Sequence, residues 1–137
     1  MMKTAAILIA RLIFGLDFAM AAYFKFVAFG MDATAGQIAA AGFPVPHLLA
    51  WVAGFFELAL AIGFLAGLFF VETAIVAIAY VLFLAFSFHG PEHWAGNPME
   101  FGFFVTHFIF TAGLLFAAVH GPGDTFVLRR PSSRSFV

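Results

Sequence analysis

Four apolar runs, each close to 20 residues long, dominate this chain and leave few folds open to it. A helix needs about 20 mostly apolar residues to cross the hydrocarbon core of a bilayer. The runs lie at about residues 4–24, 47–67, 68–88 and 101–119. Of the 137 residues, 64% are hydrophobic and 9% charged, where soluble domains are about 45–50% apolar and about 25% charged. A soluble domain this small has too little interior to hide so much apolar surface. The sequence therefore predicts an all-α integral membrane protein. Its core is a four-transmembrane-helix bundle over residues 1–128, followed by a basic tail at 129–137.

The first run has features of a signal peptide: Lys3, an apolar stretch and the triplet Ala19-Met20-Ala21. Arg11 and Asp17 interrupt its apolar core, which signal peptides avoid, so it reads as a retained span. Between spans one and two, "AGQIAAAG" predicts a short interfacial helix, with Thr34 as its cap and Gly42 before Pro44 and Pro46 as its end. Gly67 is the expected hinge between spans two and three.

Lys3 precedes the first span, and Arg129, Arg130 and Arg134 follow the last. The loop between spans three and four has no Lys or Arg. Basic flanks stay in the cytoplasm, so both termini are expected there. Lys25 falls on the opposite side. The net charge of -1 offers nothing to nucleic acid. Cysteine is absent, which excludes disulfide exchange, thiolate catalysis, iron–sulfur ligation and covalent c-type haem. A redox role then needs a bound cofactor or a partner protein.

An ionised side chain at the bilayer centre costs about 2.5–3.5 kcal/mol on insertion scales, so such residues face the bundle interior and have partners. Arg11, Gly15, Ala19, Ala22 and Lys25 recur at helical spacing on one face of span one. Small residues mark helix–helix contacts, so this face should point inward. Glu57 shares a face of span two with Ala53, Gly54 and Ala61, and Ala59, Gly63 and Gly67 form a second small stripe. These positions predict that Arg11 pairs with Glu57, directly or through water. The plainer alternative is a pair that only sets helix register. Asp17 lies about 120° from Arg11 around the helix and reads as a separately satisfied carboxylate, Glu72 as structural. His107 reads first as a neutral histidine bonded to a neighbouring helix, ahead of a ligand or a proton carrier.

The stretch "HGPEHW", His89 to Trp94, matches the H-x-x-E-H zinc-protease pattern. That chemistry needs both histidines on one continuous helix, and Gly90-Pro91 opposes it. No metal site is predicted. The stretch reads as an interfacial loop anchored by Trp94. A lesser reading clusters His89, Glu92, His93 and Glu100 over the mouth of the bundle, where they bind a metal adventitiously, contact a partner or pass protons to a site below.

The order of several motifs resembles the DoxX family of small four-helix membrane proteins. "RLIFGLDFAMAAYFKF" is similar to that family's first span, with an early Arg and a closing Lys. "GFPVPHLLAWVAGFFELALAIGFLAGLF" is similar to its second, with Gly-x-x-Glu in mid-span, and "AGLLFAAVHGPGDTFVL" to its last. Arg11, Lys25, Glu57 and Gly121-Pro122-Gly123 fall on family positions. Thr106-His107 stands where many members carry Lys-Asn. The resemblance implies a bacterial inner-membrane location. It also implies links to respiratory redox chemistry, including a thiosulfate:quinone oxidoreductase subunit, and to oxidative and thiol stress. On this basis the expected function is a quinone-associated component of a membrane redox system. Glu57 would handle a proton and Arg11 stabilise negative charge, with Lys25 and His107 also holding the quinone and a partner redox protein supplying electrons. The alternatives are a non-enzymatic subunit or scaffold and, behind it, a small-molecule or proton conduit formed as a homo-oligomer. A bis-His haem between His89 and His107 is a further option.

Overall fold

A computed structural model describes residues 2–128, with side chains from Thr4 onward; the Arg-rich tail expected at 129–137 lies outside the described residues. The helices are α1 (Met2–Tyr23), which continues into a π-helical turn (Phe24–Ala28), α2 (Met31–Ala40), α3 (Pro46–Ala66), α4 (Phe70–His89) and α5 (Pro98–His120). A single 3₁₀ turn, Pro91–His93, joins α4 to α5. Four helical stretches are long and apolar enough to cross a membrane: Thr4–Ala28, Pro46–Ala66, Phe70–His93 and Pro98–His120. The chain is an all-α membrane protein, and the four expected spans are present.

Local chemistry sets the helix boundaries. Pro46 begins α3, where its missing N–H would have had no partner in any case. Gly67 ends α3 in the left-handed region at φ 62°, and the Leu68 N–H donates to the Gly63 carbonyl at 3.0 Å. The expected hinge is therefore a helix cap. α2 starts earlier than its capping signal implied. Gly30 takes the cap position, and Thr34 lies inside the first turn, its hydroxyl bonded to the Gly30 carbonyl at 3.2 Å.

α1 packs along α3, α4 along α5, and α3 also meets α4. The small residues make these contacts possible. A Cβ on Gly15 would lie 2.5 Å from Leu65 Cγ, and one on Gly63 would lie 2.5 Å from Thr73 Oγ1. Ala59, assigned to the same stripe as Gly63, is exposed instead. Phe18, Leu60, Phe64, Phe70, Val81 and Leu114 form the main core. Most other large apolar side chains face outward, as a lipid-solvated surface requires.

The first half of α1 and residues 121–128 share one end of the bundle, here the terminal end, and α2 and the 3₁₀ turn occupy the other, the loop end. α2 lies on α3 and reaches α4 through Phe43, whose ring meets Phe83 (5.7 Å) and Phe88 (6.1 Å). A cavity of about 730 Å³ lies between these elements at the loop end.

Candidate functional site: a Lys–Glu–Tyr cluster beside an aromatic cavity

Glu57 sits midway along α3, and its side chain is 3% exposed. Lys25 Nζ lies 2.8 Å from both of its carboxylate oxygens, aimed as a hydrogen-bond donor at Oε1. The Tyr80 hydroxyl, from mid-α4, donates to the same Oε1 at 2.7 Å. Oε2 has the ammonium beside it but no donor aimed at it, and it is fully buried. Three helical segments thus meet on one carboxylate.

The backbone explains how Lys25 arrives there. It lies in the π-helical turn, closed by the Phe29 N–H donating five residues back to the Phe24 carbonyl at 2.8 Å. Such turns shift the phase of the side chains that follow and recur at functional sites. Gly54 gives the turn room, since a Cβ there would lie 2.8 Å from Phe26 Cζ.

Lys25 and Tyr80 form part of the cavity wall, and Glu57 stands behind them. Phe43, Phe56, Phe83 and Phe88 supply aromatic walls. The Phe56 ring packs at 4.9 Å against the Tyr80 ring, steadying its hydroxyl. An ammonium has three N–H donors, so Lys25 keeps donors beyond the one aimed at Glu57. The cluster can hold a hydrogen-bond acceptor at the cavity wall and keep an ionisable carboxylate within one side chain of it.

Arg11 does not pair with Glu57. It is 1% exposed, and its guanidinium donates to the carbonyls of Pro122 (3.1 Å), Thr125 (3.0 Å), Phe126 (2.8 Å) and Leu65 (3.4 Å). The 14-position offset from Arg11 to Lys25 places them about 21 Å apart along the axis of the first span. Arg11 and Lys25 both turn into the bundle, but at different depths. Arg11 ties the segment after α5 to the end of α3, beside the Leu128 N–H to Ala66 carbonyl bond of 3.1 Å. The place at Glu57 expected of Arg11 is taken instead by Lys25, together with the Tyr80 hydroxyl.

His107 is not part of the cluster. Its Nδ1 lies 2.7 Å from the Phe103 carbonyl one turn back on α5, and its ring rests against His89 with centroids 5.1 Å apart. Rings in this contact leave no room for a porphyrin between them. Asp17 and Glu72 are exposed on the bundle surface.

The "HGPEHW" stretch breaks as its glycine and proline imply. α4 stops at His89, Gly90 is extended, and Pro91–His93 turn away. The Trp94 indole donates to the His89 carbonyl at 2.9 Å. No group of three or more metal-ligating side chains assembles among the described residues. Of the four residues expected over the mouth of the bundle, His89 and Glu100 meet at 2.6 Å and line the cavity. His93 and Glu92 face each other at 3.5 Å outside it.

Sequence reasoning missed Tyr80. Its signal was present: one of only two tyrosines, placed in the middle of an apolar span, where a buried hydroxyl needs a partner.

A model of the DoxX family matches residues 6–90, which carry Arg11, Lys25, Glu57, Tyr80 and His89 and exclude α5. No curated protein and no solved structure matches the chain. The family match spans well over half of the sequence and every residue of the Lys–Glu–Tyr cluster, so this chain belongs to the DoxX family.

Proposed function

We propose that this protein binds a lipid-soluble quinone in the loop-end cavity and serves as a quinone-associated component of a membrane redox system. One observation carries the reading: Lys25 and Tyr80, both bonded to the buried Glu57 carboxylate, form one polar wall of a largely aromatic and aliphatic cavity of about 730 Å³. That donor set fits a quinone head. Lys25 has N–H groups left for a carbonyl oxygen, and the Phe43, Phe56, Phe83 and Phe88 rings suit a flat ring and an apolar tail. A bound quinone supplies two-electron redox chemistry in a lipid-soluble carrier. Lys25 holds and orients the head, Tyr80 fixes the carboxylate, and Glu57 stores the proton that balances charge near the cavity. Electrons come from a partner redox protein. The location that fits is the bacterial inner membrane, with Lys3 and the Arg-rich tail in the cytoplasm.

The test is quinone content after purification in mild detergent. Wild type is expected to retain quinone near one per chain. Lys25→Met should lower it by about tenfold, the loss expected for one hydrogen bond to a charged group. Arg11→Lys should leave it unchanged. Trace quinone in wild type, indifferent to Lys25, would sink the reading.

The exposure of α5 favours a second reading, a membrane subunit that docks a partner or another copy of itself. Only 11% of its most apolar window is buried, against 28%, 39% and 28% for the other three spans. In that case a partner co-purifies, and Lys25→Met changes assembly rather than quinone content.

A further inference from the structure

The cavity has two polar ends. Lys25 and Tyr80 mark the deep one, and His89 and Glu100 mark the one nearest the loop end. His89 follows Tyr80 by nine positions on α4, a rise of about 14 Å. Thr34 and Gln37, from α2, are the other polar side chains in the lining. Quinone binding at the deep end does not use His89 or Glu100.

The His89–Glu100 geometry has a chemical consequence. A carboxylate only accepts hydrogen bonds, so at 2.6 Å the Nδ1–H of His89 is the donor to Glu100 Oε2. Nε2 is then the free basic nitrogen. The imidazole is about a quarter exposed and wedged between the Phe103 and His107 rings, which fixes its orientation. The other titratable groups near this end are His107 on α5, the exposed Glu92–His93 pair on the 3₁₀ turn and the exposed Asp32–His47 pair on α2 and α3. At the terminal end, by contrast, Arg11 and the carbonyls it binds close the bundle. The cavity that reaches Lys25 and Tyr80 lies at the loop end.

We propose that His89, held by Glu100, is the proton-exchange group of this cavity, passing protons between water at the loop end and the Lys25–Glu57–Tyr80 cluster. A proton leaving the Lys25 ammonium passes along water in the cavity, which has room for several molecules, to His89 Nε2. The imidazolium releases it to bulk water, and the reverse path restores Lys25. Nothing is oxidised or reduced. The proposal rests on the quinone reading only for what the protons serve. The competing explanation is electrostatic: Glu100 in the first turn of α5 and His89 in the last turn of α4 each complement a helix dipole.

The chain has two lysines, Lys3 and Lys25, so labelling lysine side chains with ¹⁵N gives two ammonium signals, one of them in the cluster. The measurement is the exchange rate of the Lys25 ammonium protons with water, by NMR on the full chain in detergent micelles. His89→Gln and Glu100→Gln should each slow it by about tenfold, a modest share of what a positioned general base contributes. Glu100→Asp should recover part of the rate, and His93→Gln should leave it unchanged. If His89→Gln misfolds by its helical content, His89→Asn takes its place. A wild-type rate in the His89 variant, or equal slowing in His93→Gln, overturns the proposal and leaves the dipole explanation. Quinone content of the same samples separates the two conclusions. Normal quinone with His89-independent exchange overturns the proton role alone, and absent quinone with His89-dependent exchange overturns the quinone role alone.

Discussion

Glu57 is the residue whose environment would be hardest to sustain without its partners. Lys25 and Tyr80 stand between a carboxylate that is 3% exposed and an otherwise apolar surround. Removing one member of a buried ion pair leaves the other uncompensated and costs about 3–5 kcal/mol, whereas replacing both with apolar residues is often neutral. Lys25→Met should therefore lose about 3 kcal/mol of resistance to unfolding in a detergent titration. Adding Glu57→Leu should recover most of that loss. If the double variant is as unstable as the sum of the singles, Lys25 and Glu57 are not coupled and the cluster loses its meaning as a unit. At this scale the sequence was legible in part. That Glu57 and Lys25 face inward follows from helical spacing and small neighbours. Which cation meets the carboxylate depends on depth in the bundle, and depth depends on where each helix begins and how the π-helical turn re-aims Lys25.

The helices fit because α3 exposes backbone where its neighbours need it. At Gly63 an added Cβ would lie 2.5 Å from Thr73 Oγ1 and 3.2 Å from Thr73 Cβ, so the contact cannot be relieved by a flexible chain end. Gly63→Ala should cost about 1–3 kcal/mol, the usual penalty for overpacking. Thr73→Ala in the same chain should return most of it, read as a rise in the unfolding midpoint toward wild type. Failure of that rescue would mean that α3 and α4 do not pack at Gly63. The element boundaries were readable from chemistry with short reach: Pro46 at the start of α3, Gly67 at its end and Gly90-Pro91 after α4. The start of α2 was not, because two cap residues compete there. Gly30, at φ 83°, takes the position that the hydroxyl of Thr34 also advertised.

Across the whole molecule, Arg11 closes the terminal end. Its guanidinium gathers carbonyls from Leu65, Pro122, Thr125 and Phe126, which span the α3 terminus and the segment after α5. Arg11→Met leaves those carbonyls without their donor, and a hydrogen bond to a charged group contributes about 1.5–3 kcal/mol. Residues 121–128 should then exchange backbone amides with deuterium markedly faster, while the Lys25–Glu57 region keeps wild-type protection. Equal loosening at both ends would mean that Arg11 supports the whole bundle rather than one closure. Composition and four apolar runs determined by themselves that this chain folds as a membrane-spanning helical bundle. The reason is that lipid leaves helices as the only way for such runs to satisfy their own backbone. Helical periodicity likewise determined which charged residues turn inward. Only the tertiary structure decided that Lys25 and Tyr80, not Arg11, share Glu57, because periodicity reports angle around a helix and carries no information on how far one helix slides along the next.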